Sequence, residues 1–143
     1  MGAALIPYII YVDDDPDDLL FFEEATVARD PLAEIKLYND GKSAFQFLES
    51  IPTGNVLPGV IVLDLNMTGW NGIETLQAIR QQEAYQGIPV FIFTNSAHPL
   101  HRQAALDNGA IDLVIKPYTQ DELLDICARF ADYTKQPAQI KSV

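Results

Sequence analysis

Along the chain, short runs that are almost wholly apolar alternate with longer stretches in which apolar residues recur every three or four positions. Tyr8 to Val12, Val60 to Leu63 and Val90 to Phe93 are runs of the first kind. Unbroken hydrophobicity over four or five residues suits a strand buried on both faces of a parallel sheet. Leu113 to Ile115 reads as a shorter fifth strand, and Glu34 to Tyr38 mixes polar with apolar residues, as an edge strand does. The intervening stretches carry helix signals. Asp15-Pro16-Asp17-Asp18 offers an N-cap, a proline at the first helical position and acids in the first turn. Asp40-Gly41 opens a helix carrying Ala44, Phe45 and Leu48, and Gly109 closes the one containing Ala105 and Leu106. Asn71 with Glu74, and Thr119 with Glu122, have capping-box spacing. Ile73, Leu76 and Ile79 form one apolar stripe, and Leu123, Ile126, Cys127 and Phe130 another. Five strands alternating with five helices, without an internal repeat, predict an α/β fold with a doubly wound parallel sheet.

The length of 143 residues corresponds to one domain. We read 1–7 as an N-terminal extension, 8–133 as the folded domain and 134–143, which lacks periodicity, as a mobile tail. A composition of 48% hydrophobic and 20% charged residues is that of a chain able to bury a core. Nine Lys and Arg against 20 Asp and Glu leave a net charge of -11, which argues against direct contact with nucleic acid or an anionic membrane. The single cysteine excludes an intramolecular disulfide, and the opening MGAALIPYII lacks the basic region of a signal peptide, so a cytoplasmic location is expected. Cys127 is expected in the core, and His98 and His101 in solvent beside Pro99. Trp70 is expected either to pack on the core or to present a partner surface.

Open α/β sheets carry their sites beyond the carboxyl ends of the strands. The residues in those places are Asp13, Asp14 and Asp15 after the first strand, Asp64 after the third, Thr94 after the fourth and Lys116-Pro117 after the fifth. Five of the six residues from 13 to 18 are Asp. Capping and helix-dipole roles account for Asp15, Asp17 and Asp18, but not for Asp13 and Asp14, which precede the cap. If Asp64 lies beside them, like charges about 4 Å apart repel by about 4 kcal/mol at an effective dielectric near 20. Such a pocket raises a pKa or recruits a cation. Mg²⁺ fits, because it accepts a few carboxylates, keeps several waters and then takes phosphate oxygens. The lack of a Cys/His cluster argues against zinc. Lys116, at a buried strand end, is expected to pair with Asp64.

The segments YVDDDP, VIVLDLNM followed by Gly72, VFIFTN, NGA and IKP occur in the order found in response-regulator receiver domains. From Tyr8 to Tyr133 the chain resembles that CheY-like family. DGKSAFQFLES and QQEAYQGIPVFIFTNSAHP look most like the stand-alone receivers that partner phytochrome-type histidine kinases. The resemblance implies a flavodoxin-like, five-stranded sheet of order 2-1-3-4-5 with five helices. It implies a single-domain response regulator of two-component signalling, with Asp64 as acceptor of a phosphoryl group from a sensor histidine kinase or phosphotransfer protein. Asp14 and Asp64 would ligate Mg²⁺ (or Mn²⁺), with the Asn66 main-chain carbonyl as third ligand and Asp13 acting through water. Lys116 and Thr94 would bind phosphoryl oxygens. Such a domain is not an enzyme beyond assisting its own phosphorylation and dephosphorylation, and its output passes to an unspecified downstream protein or along a phosphorelay. Dimerisation is left open.

Three positions depart from the family pattern. Leu113 stands where an aromatic switch residue is usual, Asn95 where a small residue follows the threonine, and Thr68 where a proline follows the acceptor. The competing classes are a phosphorylation-independent adaptor and a phosphatase that uses Asp64 as nucleophile. Against the phosphatase, Asn66 occupies the place of the second acid in a DxD motif.

Overall fold

The computed structural model describes residues 6–96 and 98–142. Most of the expected N-terminal extension lies outside them. Five strands alternate with five helices: β1 (Ile9–Val12), α1 (Pro16–Arg29), β2 (Ile35–Tyr38), α2 (Gly41–Ser50), β3 (Val60–Leu63), α3 (Gly72–Gln81), β4 (Val90–Thr94), α4 (Pro99–Asp107), β5 (Asp112–Ile115) and α5 (Gln120–Asp132). Single 3-10 turns, Glu83–Tyr85 and Tyr133–Lys135, follow α3 and α5. The strands form one parallel sheet of order β2-β1-β3-β4-β5, so β2 and β5 are the edges. β1, β3 and β4 are buried along their whole length, whereas every residue of β2 is half-buried.

Side-chain alternation along the strands divides the core in two. Ile10, Val12, Ile61, Leu63 and Ile92 meet Ala44, Leu48, Leu76, Ile79 and Ala105 of α2, α3 and α4 on one face. Ile9, Tyr11, Val62 and Phe93 meet Phe22 and Ala25 of α1 and Cys127 and Phe130 of α5 on the other. The Cys127 thiol is thus a core group, its pKa pushed up to about 11 by burial. The helix ends follow the sequence signals. Asp15 caps α1, Asp40 caps α2, the Asn71–Glu74 capping box is complete, and Thr119 accepts the Glu122 N–H. Gly109, at φ +96°, ends α4.

Two expectations fail. The tail is not free, because Leu57 N–H donates to the Gln139 carbonyl, Lys141 N–H to the Asn55 carbonyl and Gly54 N–H to the Lys141 carbonyl. The Lys141 ammonium also reaches the Leu48 carbonyl at 2.9 Å, at the end of α2. Backbone pairing of this kind needs no side-chain periodicity, so no pattern of residues announces it. His101 is half-buried rather than solvated, with Nδ1 inaccessible and without a partner among the described residues, because it sits on the inner side of the first turn of α4. His98 is exposed, and its Nδ1 accepts the Leu100 N–H.

Gly72 sets the start of α3 against the end of β3. Its N–H donates to the Leu65 carbonyl at 2.9 Å, and a Cβ there would press into the Asp64 carbonyl oxygen and crowd the Leu65 Cα. Gly72→Ala is expected to destabilise the protein by about 1–3 kcal/mol, as overpacking does. Urea denaturation measures it, and an unchanged midpoint would show that α3 can move away from the Asp64 backbone.

Candidate functional site

The sheet register builds the site. Val12 pairs with Leu63, so the next residues, Asp13 and Asp64, emerge side by side at the carboxyl rim. Asp64 N–H donates to the Val12 carbonyl and Asp13 N–H to the Tyr38 carbonyl, which fixes both backbones. Thr94 pairs with Ile115, and Lys116 N–H donates to the Thr94 carbonyl at 2.8 Å. Carboxylate oxygens of Asp13, Asp14 and Asp64 lie within 4.8 Å of one another. Asp13 and Asp64 are buried and Asp14 is exposed, so the pocket opens to solvent on one side.

Lys116 is buried at the back of this group. Its Nζ lies 2.6 Å from Asp13, 2.9 Å from Asp18 and 3.4 Å from Asp64. The expected pair with Asp64 is present but is the longest of the three. Asp18, read from the sequence as a helix-dipole partner, joins the site instead. Burial by itself lowers the Lys116 pKa, but hydrogen bonds to Asp13 and Asp18 and the charges of Asp13 and Asp64 outweigh it, so the ammonium is held above its ordinary range.

Asp13 has no exposed surface, and both its oxygens are claimed. Oδ1 accepts the Asp15 N–H at 3.0 Å; Oδ2 accepts the Tyr11 hydroxyl at 2.5 Å and Lys116 Nζ at 2.6 Å. Tyr11 was not anticipated as part of the site. Its ring stacks on Phe22 with centroids 4.0 Å apart, and burial followed by the Asp13 charge keeps its hydroxyl protonated. Asp14 Oδ2 accepts the Thr68 N–H at 3.1 Å, which draws the loop after β3 onto the loop after β1. Proline at 68, the usual family residue, would lack that donor. Asn66 is exposed in the same loop, two residues beyond Asp64.

Thr94 is fully buried, and its hydroxyl accepts the Ser96 N–H at 3.2 Å; among the described residues it forms no hydrogen bond with the carboxylates. Asn95 is exposed and lines a crevice of about 110 Å³ with Tyr11, Asp18, Phe21 and Lys116. Leu113 is buried in the core on the α4 side of the sheet. Trp70 is half-buried in the loop after Asp64, edge-on to Phe45 at 5.9 Å. Among the described residues no helix is long and apolar enough to cross a membrane.

The donor set suits a hard divalent cation, being all carboxylate oxygen with a solvent-facing side. The pocket's charge points the same way, since one ammonium does not balance it. Burial, then the Asp13 charge, raises the Asp64 pKa to about 6, against the lowering pull of Lys116 and the Leu65 N–H.

The family profile described as "Response regulator receiver domain" matches residues 9–128. The chain belongs to that family. Receiver domains are the phosphoryl-responsive partners of histidine kinases in two-component signalling. An uncharacterised 14.6 kDa protein of Leptolyngbya boryana is 32% identical over 124 residues, spanning 85% of this chain and 88% of that one. The cyclic di-GMP phosphodiesterase response regulator RpfG of Xanthomonas campestris is 29% identical over 133 residues, but this chain spans only 34% of its length. The fold is shared with the phosphorylated cyanobacterial phytochrome response regulator RcpA (TM-score 0.80, 22% identity, 96% of this chain and 99% of that one). It is shared also with the Mn²⁺-bound form of response regulator Rcp1 (TM-score 0.75, 22% identity, 95% and 100%).

Because the folded-state pKa of Asp64 lies above the ordinary 3.8, its contribution to stability is complete below pH 4 and is lost as pH rises through about 6. Without divalent ions, Asp64→Asn is therefore expected to be more stable than the parent at pH 7.5 by about 1–3 kcal/mol, a gain that fades by pH 4. Denaturant titrations at the two pH values measure this, and an equal gain at both would contradict it. Mg²⁺ at pH 7.5 is expected to stabilise the parent and leave Asp64→Asn nearly unchanged.

Proposed function

We propose that Asp64 accepts a phosphoryl group from a phosphohistidine on a sensor histidine kinase or phosphotransfer protein, and that the charge so placed switches a protein-binding surface or is passed on in a relay. The observation that carries this reading is the convergence of the Asp13, Asp14 and Asp64 carboxylates around a lysine at one rim of the sheet. In the transfer, an Asp64 carboxylate oxygen bonds to phosphorus as the phosphorus–nitrogen bond breaks, and the imidazole leaves with that electron pair. The product is a mixed anhydride, which water cleaves to restore the carboxylate.

Asp14 and Asp64 would hold Mg²⁺ or Mn²⁺, with the Asn66 carbonyl as third ligand and Asp13 acting through water; the Mn²⁺ form of Rcp1 supports that choice. When bound, the ion supplies charge neutralisation for the entering phosphoryl oxygens. The Asp13 oxygens already serve Tyr11, Lys116 and Asp15, which favours a water-mediated role over direct ligation. The Lys116 ammonium faces Asp64 at 3.4 Å and stabilises negative charge developing there.

Phosphorylation adds about 1.5–2 negative charges at Asp64. The Thr94 hydroxyl retains its proton for donation while its oxygen accepts from Ser96, so movement of Thr94 toward the phosphoryl group carries the β4–α4 loop with it. A shift from 1:99 to 99:1 takes about 5.5 kcal/mol. One charge-assisted hydrogen bond contributes about 1.5–3 kcal/mol. With Leu113 in place of a mobile aromatic, partner binding supplies the remainder or the switch is partial.

Incubation with Mg²⁺ and acetyl phosphate or phosphoramidate is expected to add one phosphoryl mass, absent from Asp64→Asn and absent from the parent when the metal is chelated. Intact-mass spectrometry reads the result. No addition to the parent would favour an adaptor, and sustained hydrolysis of a phosphate ester would favour a phosphatase. Asn95→Ala is expected to change the lifetime of the modified form, and an unchanged decay rate would remove Asn95 from the site.

A further inference from the structure

The first turn of α1 contains an acid that does not perform its local role. Asp15 is the N-cap, Pro16 opens the helix and Asp18 stands three residues past the cap, the position from which an acidic side chain usually folds back to the N-cap N–H. Glu74 does this in α3, accepting the Asn71 N–H at 3.0 Å. In α1 the corresponding N–H, that of Asp15, is taken by Asp13 Oδ1. Asp18 is thereby released from capping. It reaches across to β5, where Oδ2 accepts from Lys116 Nζ at 2.9 Å, a contact between residues 98 apart in sequence.

An ammonium has three N–H donors. Two are directed by short hydrogen bonds, one to Asp13 and one to Asp18. Asp64 Oδ1 lies farther away, at 3.4 Å and within ion-pair range, so the third donor is the least firmly held and is left on the Asp64 side. A lysine tethered by Asp13 alone could swing about that bond. Two tethers fix the direction of the third.

We propose that Asp18 is a positioning residue for phosphoryl transfer: with Asp13 it holds the Lys116 ammonium so that the remaining N–H faces the phosphoryl oxygens arriving at Asp64. The proposal rests on Asp64 being the acceptor and adds to it a residue that touches neither phosphoryl group nor metal. It acts through an oxygen acceptor, which asparagine retains and alanine does not, and so separates hydrogen bonding from charge.

The test compares the parent, Asp18→Asn and Asp18→Ala. In the metal-free, unmodified protein, the Lys116 ammonium is expected to give a slowly exchanging ¹H–¹⁵N signal in the parent and in Asp18→Asn, and to lose it in Asp18→Ala. With Mg²⁺ and acetyl phosphate, Asp18→Ala is expected to be modified about tenfold more slowly, and Asp18→Asn to recover most of that rate. The Mg²⁺ affinity of Asp18→Ala, read from Trp70 fluorescence, is expected to fall by less than the rate of modification, since Asp18 is not among the three clustered ligand carboxylates. Equal slowing in both variants would assign the effect to charge, and parental behaviour of Asp18→Ala in signal and rate would remove Asp18 from the mechanism. If the parent itself takes no phosphoryl group, the acceptor reading fails. The ammonium signals then decide the positioning claim alone, and their persistence in Asp18→Ala overturns it.

Discussion

Two buried carboxylates side by side are an unstable arrangement, and the Lys116 ammonium is what makes it tenable. Asp13 and Asp64 are brought together by strand register alone, because β1 and β3 are neighbours that end level with each other. Removing one charge from water costs several kcal/mol even after relaxation. The lysine at the end of β5 offsets part of that cost, Tyr11 and the Asp15 N–H offset more at Asp13, and the excess remains on Asp64, whose affinity for a proton is raised. A proton or a cation relieves the same excess. The sheet enforces the repulsion.

Much of this was readable in the residues. The buried strands announced themselves as unbroken apolar runs, and in an alternating α/β chain the polar residues just beyond them fall at one rim. Asp13, Asp64 and Lys116 were found in this way. Asp18 was not, because an acid in the first turn of a helix is already explained by capping and dipole effects, and its true partner lies on a different strand. Tyr11 was hidden for the opposite reason, since a tyrosine inside an apolar run reads as core, which its ring is. The preference of Lys116 for Asp13 over Asp64 depends on side-chain reach, which spacing along the chain does not encode. The docking of residues 139–141 escaped because it is made by main-chain groups, common to every sequence.

The division of the molecule into firm and yielding parts follows the hydrogen bonds. Arg80 ties α3 to the carbonyls of Tyr85, Ile88 and Gly109, joining the connections on either side of β4 at the amino end of that strand. At its carboxyl end, by contrast, the Ser96 N–H donates to the threonine hydroxyl at 3.2 Å and so ties the start of the next segment to Thr94. A displacement of Thr94 would therefore be passed to the segment leading to α4, whereas the far end of the strand is tied by Arg80.

The seat of the C-terminal segment also bears on how the molecule can be handled. Its hydrogen bonds fall on Gly54, Asn55 and Leu57, just before β3 begins, whereas Asp64 follows the last residue of that strand. Four strand residues at about 3.3 Å each put roughly 13 Å of sheet between them. A dye, a surface linker or a fused fluorescent protein joined beyond that segment would hang from the opposite pole, clear of the acidic pocket.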